Sequence, residues 1–142
     1  MAPGVRTTRT TWRSGIVVNE RPLAMLVVSN TRLYGGHVRF SPEALADDGL
    51  LDAVSLCPAG VRDVLRLALR LVFHRLRDDR CVVYAQVTDL VIETPGIAVQ
   101  VDGDYIGETP VTFGIEPAAL LVSVPNGALP RLLAGTGAAG ER

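Results

Sequence analysis

The sequence predicts a mainly β domain: a β-sandwich or open barrel of short antiparallel strands, with one amphipathic helix at about residues 61–78 packed on it. Short runs rich in Val, Ile, Thr and aromatic residues are separated throughout by Gly, Pro, Asn and Asp, the residues that punctuate hairpins and loops. Only Val61 to Asp78 shifts its apolar spacing to three and four residues, the period of a helix. At 142 residues and 48% hydrophobic, the chain can bury a core without disulfide or metal staples.

Taken in order, Val5 to Arg13 and Gly15 to Asn19 alternate as a hairpin around Ser14 and Gly15. Leu23 to Ser29 (LAMLVVS) is a continuous apolar run and is expected to be a buried central strand. Val38 to Phe40, Ala53 to Leu56, Cys81 to Gln86, Asp89 to Glu93, Ile97 to Val101, Val111 to Ile115 and Leu120 to Val124 complete the expected strands. In the helical segment, Val61, Val64, Leu65, Ala68, Leu69, Val72, Phe73 and Leu76 form the apolar side, expected to pack on the sheet. Arg62, Arg66 and Arg70 line up on the other side, with Arg75 and Arg77 nearby. Such a basic face can meet an anionic membrane, or it can simply be solvated, with Asp63, Asp78 and Asp79 diluting its charge. Residues 1–126 are read as one domain and the Gly- and Ala-rich residues 127–142 as a flexible tail.

Composition excludes several function classes. A net charge of -1 gives no global attraction to nucleic acid, and Trp12, Tyr34, Tyr84 and Tyr105 are too scattered to stack bases. His37 and His74 have no cysteine, histidine or carboxylate at zinc spacing, and no serine sits in a G-x-S-x-G elbow. The N-terminus has no apolar core of a signal peptide, and no apolar run approaches the ~20 residues of a spanning helix. The expected location is therefore cytoplasmic, with peripheral contact at the inner membrane face left open, and Cys57 and Cys81 are expected to be reduced.

Two acidic turns carry the chemistry. Ala46, Asp47, Asp48 and Gly49 form a tight turn before the strand that begins near Leu50, with the glycine supplying a positive φ. Turned carbonyls with one carboxylate make a hard-oxygen site of the kind Mg²⁺ takes; alternatively, Asp48 caps its own turn. The second turn, Asp102-Gly103-Asp104, lies between the apolar runs IAVQV and YIGETPVTF and signals a hairpin that holds its carboxylates on a sheet. A carboxylate held there can accept the proton of a hydroxyl, or both can merely serve an exposed turn. Asn30, just past the apolar strand and before Gly35 and Gly36, can orient a substrate or close its loop.

In order, Asn30, Tyr34, Gly35, Gly36, Pro42, Ala44, Asp48, Gly49, Leu51 and Asp52, followed by Asp102 and Gly103, resemble the C-terminal domain of the bacterial diacylglycerol kinase and sphingosine kinase superfamily. The resemblance runs from about Leu23 to Asn126. It implies a general base at Asp104 with Asp102 beside it, and a structural Mg²⁺ held by the Leu45 carbonyl, the Asp48 carboxylate and the Leu50 carbonyl. It also implies transfer of phosphate from ATP to a lipid hydroxyl such as that of diacylglycerol. Two positions depart from the pattern: His37 replaces a third glycine, and Asp104 replaces the usual, longer Glu. The chain has no G-G-D-G-T turn and no lysine, which excludes a G-x-x-x-x-G-K-[ST] loop. ATP is therefore expected to enter only with a separate nucleotide-binding domain. The first strands of the family domain are expected to be incomplete, exposing a sheet edge that favours a homodimer. A non-catalytic relic or lipid-binding sandwich module is the alternative.

Overall fold

The computed structural model describes residues 8–14, 17–33 and 39–121. Its strands are β1 (Thr8–Ser14), β2 (Val17–Leu23), β3 (Met25–Ser29), β4 (Leu51–Leu56), β5 (Val82–Val87), β6 (Asp89–Ile92), β7 (Ala98–Val101), β8 (Asp104–Glu108) and β9 (Val111–Gly114). One α-helix, α1 (Val61–Val72), precedes a short 3-10 turn at Leu76–Asp78. All pairings are antiparallel, in three sheets ordered β2-β1-β6-β9, β3-β4-β5 and β7-β8. The sheets stay open, so the architecture is a sandwich rather than a closed barrel.

The core lies between the β3-β4-β5 sheet and strands β6 and β9. Ala53, Val87, Leu90 and Ile92 are its buried centre, flanked by Leu26, Val28, Leu51, Val83, Ala85, Val111 and Phe113. Because side chains alternate along a strand, the registers Val28↔Ala53↔Ala85 and Leu51↔Val87 place these residues on one face. A second cluster covers the opposite face, where Leu67, Leu76 and Cys81 pack with Phe40, Leu56, Leu71 and Val82. β4 is thus covered on both sides, and Asp52, Ala53, Val54 and Ser55 are each at most 1% exposed.

Several expectations are corrected. Leu23 to Ser29 is not one buried central strand: the chain breaks at Ala24, and β3 is an edge strand with exposed Met25. The central strand is β4, whose polar Asp52 and Ser55 disguise its burial. Arg39 and Phe40 are not in a strand, and neither are Leu120 and Leu121; Val38 and residues 122–124 lie outside the described residues, as do the Ser14–Gly15 turn's Gly15 and residues 5–7.

The helix is also shorter than expected, and it is turned around. It ends at Val72, and His74 then takes a positive φ of 57°, which breaks the run before Leu76. Asp63 supports the helix start by accepting a hydrogen bond from the Ala59 N–H at 3.0 Å, and its charge suits the positive end of the helix dipole. The side facing the protein carries Leu67 together with two arginines. Arg66 grips the buried Asp79 carboxylate through Nε at 2.7 Å and Nη2 at 3.1 Å, and Arg70 adds a contact at 3.1 Å. The Cys81 N–H donates to the same carboxylate at 2.9 Å. Val61, Leu65, Leu69 and Val72, expected to pack on the sheet, face outward instead.

The hydrogen bond from Arg66 is the largest influence holding the Asp79 carboxyl down, at about 2 against an ordinary value of 3.8. A lowered folded-state value stabilises the fold above the ordinary value and loses that contribution as the pH falls through the folded one. Acid melts should therefore show a loss of stability between about 3.8 and about 2 that Asp79→Asn removes. An unchanged acid profile in the variant would refute the clamp.

Candidate functional site

The acidic loop folds over the outer face of the β3-β4-β5 sheet. Registers Ser29↔Asp52 and Asp52↔Gln86 lay a polar row across three strands. The 39–50 segment covers this row: Ser41 and Ala44 are buried, and Ser41 Oγ lies 2.8 Å from Ser29 Oγ. Arg32 Nε donates to the Ala44 carbonyl at 3.0 Å, and Asn30 Nδ2 donates to the Ala46 carbonyl at 3.4 Å. Asn30 and the Asp48 turn are therefore brought together. Tyr34, Gly35, Gly36 and His37 lie outside the described residues.

The turn itself follows the sequence closely. Gly49 adopts φ 72°, a conformation that costs glycine little, and its Cα faces the Pro117 ring. Asp48 Oδ1 accepts the Leu50 N–H at 2.9 Å, so the carboxylate caps its turn. That cap uses one oxygen lone pair and is compatible with a cation on the rest of the carboxylate.

Asp52 is the residue that sequence reasoning missed as a site feature, although it was named in the motif. Its side chain is fully buried, Tyr84 donates its hydroxyl to Oδ1, and Oδ2 has no partner. Asn30 Oδ1 is likewise buried without a partner. Burial is the main cause lifting the Asp52 carboxyl above its ordinary value, and the nearby Asp48 charge adds to it; the Tyr84 hydrogen bond acts in the opposite direction. Burial and Asp52 in turn push the Tyr84 hydroxyl up. Arg77, ion-paired with Glu43, lies 4.5 Å over the Tyr84 ring. The signal that could have found Asp52 is a carboxylate inside an otherwise apolar strand, LDAVSL.

These oxygens fit a hard cation in their chemistry. Among the described residues no three His, Cys, Asp or Glu side chains gather to hold a metal, so a cation at Asp48 would draw on backbone carbonyls such as those of Leu45 and Leu50. The neighbouring carboxyl groups of Asp48 and Asp52 and the orphaned oxygens Asn30 Oδ1 and Asp52 Oδ2 are the groups that such an ion would offset.

Asp102 and Asp104 belong to the β7-β8 hairpin. Val101↔Asp104 closes a two-residue turn in which Asp102 has φ 52° and Gly103 φ 100°, the twist that an Asp-Gly hairpin favours. The arm is anchored at its base. Val99 is buried, Ile97 packs on the sandwich core, and Thr109 Oγ1 accepts the Ile97 N–H at 3.0 Å while donating to the Thr94 carbonyl. Its tip is exposed, with Val101, Tyr105 and Ile106 flanking the two carboxylates. Among the described residues Asp48 shares no hydrogen bond with Asp102 or Asp104.

Residues 12–124 match the sequence profile described as the YegS C-terminal NAD kinase beta sandwich-like domain. The chain belongs to that family. This YegS-type domain is 33% identical over 107 residues to a diacylglycerol kinase of Mycobacterium tuberculosis, covering 73% of this chain and 34% of that protein. It is 33% identical over 104 residues to a YegS-like lipid kinase of Pseudomonas syringae, covering 72% of this chain and 33% of that protein. A Bacillus anthracis structure named for diacylglycerol kinase superposes with a TM-score of 0.66 at 19% identity, covering 82% of this chain and 38% of that one. At that identity the likeness speaks to the fold alone. The YegS-type domain spans about a third of the length of the relatives it matches.

The Asp52 environment has a testable sign. A carboxyl whose folded-state value is raised favours folding while protonated; that contribution is complete below the ordinary 3.8 and is lost as pH rises through the folded value. Urea unfolding at a series of pH values should show the native chain losing stability relative to Asp52→Asn as pH rises. A difference that stays level with pH would contradict the burial of Asp52.

Proposed function

We propose that this chain is the acceptor-side domain of a lipid kinase, placing a lipid hydroxyl for phosphate transfer in company with a nucleotide-binding domain. The observation that carries this reading is the β7-β8 tip. There a pre-shaped Asp-Gly turn presents Asp104 at the exposed start of β8, in a stretch where Val101, Tyr105 and Ile106 are exposed apolar side chains. The names of the relatives, diacylglycerol kinase and YegS-like lipid kinase, support the same class.

In this mechanism Asp104 accepts the proton of the lipid hydroxyl as its oxygen bonds to the terminal phosphorus of ATP. The bond to the bridging oxygen breaks, and ADP departs. Asp102, one position before the turn glycine, sets the charge beside that base. Asn30 holds the loop that carries Asp48 and is the substrate-side amide of the reading. Bound Mg²⁺ at the Leu45 carbonyl, Asp48 and the Leu50 carbonyl would supply charge neutralisation and fix the turn. The shorter reach of Asp104, compared with the Glu usual in the resembling kinases, favours a second reading, a lipid-binding module without transfer.

Labelled phosphate transfer from ATP to diacylglycerol separates these. Label is expected only when the chain is combined with the nucleotide-binding domain of a lipid kinase. Label from the isolated chain overturns the two-domain requirement, and lipid binding without label in the combination favours the module. In the active combination Asp104→Asn should lower turnover about 10²-fold or more; unchanged turnover removes it as the base. Asp48→Ala should abolish any rise in melting temperature on adding Mg²⁺, since an ion stabilises only the state that binds it. A Mg²⁺ response that persists in the variant places the ion elsewhere.

A further inference from the structure

Helix α1 presents two kinds of surface to solvent. Val61, Leu65, Leu69 and Val72, spaced four, four and three residues apart, form one stripe and are 54, 64, 53 and 70% exposed, with Phe73 at its end. Beside the stripe lies an open cleft of about 740 Å³ lined by Arg66, Leu69, Arg70, Phe73, Arg75 and Asp78. Residues 61–80 hold six arginines against three aspartates, a surplus of positive charge in a chain of net charge -1. Asp63 pairs with Arg66 and Arg80, Asp79 with Arg66 and Arg70, and Arg77 with Glu43, which occupies four of the six arginines. Arg62 and Arg75 have no ion pair among the described residues.

This combination selects among occupants. A second copy docked through the same patch would bring two positive surfaces together, which electrostatics opposes. An anionic bilayer satisfies both halves, since the stripe enters the boundary between headgroups and acyl chains while guanidinium groups meet lipid phosphates. At 12 residues the helix is ~18 Å long, suited to lying along an interface and too short to cross one. Among the described residues no helix is long and apolar enough to span a membrane.

We propose that α1 is a membrane-surface contact, lying on an anionic lipid bilayer with Val61, Leu65, Leu69, Val72 and Phe73 inserted and Arg62 and Arg75 against the lipid phosphates. The proposal is independent of the kinase reading, because it concerns binding in the absence of ATP. Vesicle flotation of the native chain tests it directly. Binding should be at least about tenfold stronger to phosphatidylcholine–phosphatidylglycerol vesicles than to phosphatidylcholine alone, and should fall as salt screens the surface charge. The exposed pair Leu65→Gln and Val72→Gln should lower binding to the mixed vesicles about tenfold, and Arg62→Glu with Arg75→Glu should abolish the preference for the anionic lipid, both with an unchanged circular dichroism spectrum. Equal binding to the two vesicle types, or none to either, overturns the proposal without recourse to any variant. It is also overturned if the native chain is a dimer that Leu65→Gln and Val72→Gln converts to a monomer, since the stripe would then join two copies.

Discussion

The covering of β4 from both sides is the constraint on which this fold turns. A sandwich sheet ordinarily keeps one face dry and one wet, and its strands alternate accordingly. Here β6 and β9 close one face of the β3-β4-β5 sheet, while the 39–50 loop and the helix region close the other. That second layer seals a carboxylate beneath it. Burying Asp52 would be costly without partners, so the loop and β5 must supply polar groups where they cross it. Tyr84 meets one oxygen, and Ser29, Ser41, Arg32 and Asn30 tie the loop to the sheet around it. The acidic turn at Asp48 is held in place by these ties, so local turn chemistry and the central strand act as one unit.

A second buried carboxylate sets the attitude of the helix. Asp79 lies after the helix, yet it reaches back to Arg66 and Arg70, and the paired charges are worth more where water is excluded. Two arginines are thereby turned inward, and the stripe opposite them is left outward. Among the described residues, Leu67 and Leu71 supply the apolar packing on the inner side. The outcome is a helix apolar on two sides, with its inner side chosen by charge.

Much of the architecture was legible because it rests on local rules. The strand-rich class, the separate helix, the Gly49 turn and the Asp102-Gly103 hairpin follow from residue types whose backbone preferences are strong. The resemblance to the lipid kinase C-terminal domain was legible from the order and spacing of Asn30, Asp48, Gly49 and Asp52. What was hidden depends on contacts between distant segments. β4 reads as half-polar, so the continuous run of Leu23 to Ser29 looked like the centre of the sheet, although its break at Ala24 leaves β3 on an edge. Periodicity shows that α1 has an apolar stripe, but it cannot tell which way the stripe faces when a partner such as Asp79 lies beyond the break at His74. The pairing of Tyr84 with Asp52 joins strands that only the fold makes neighbours.

Among the described residues the β7-β8 arm shares no strand pairing with either larger sheet, and Ile97, Val99 and Thr109 attach it at its base. Its exposed far end adds little burial to the fold. Lineages descended from such a domain are free to exchange, lengthen or blunt that end while inheriting the scaffold intact.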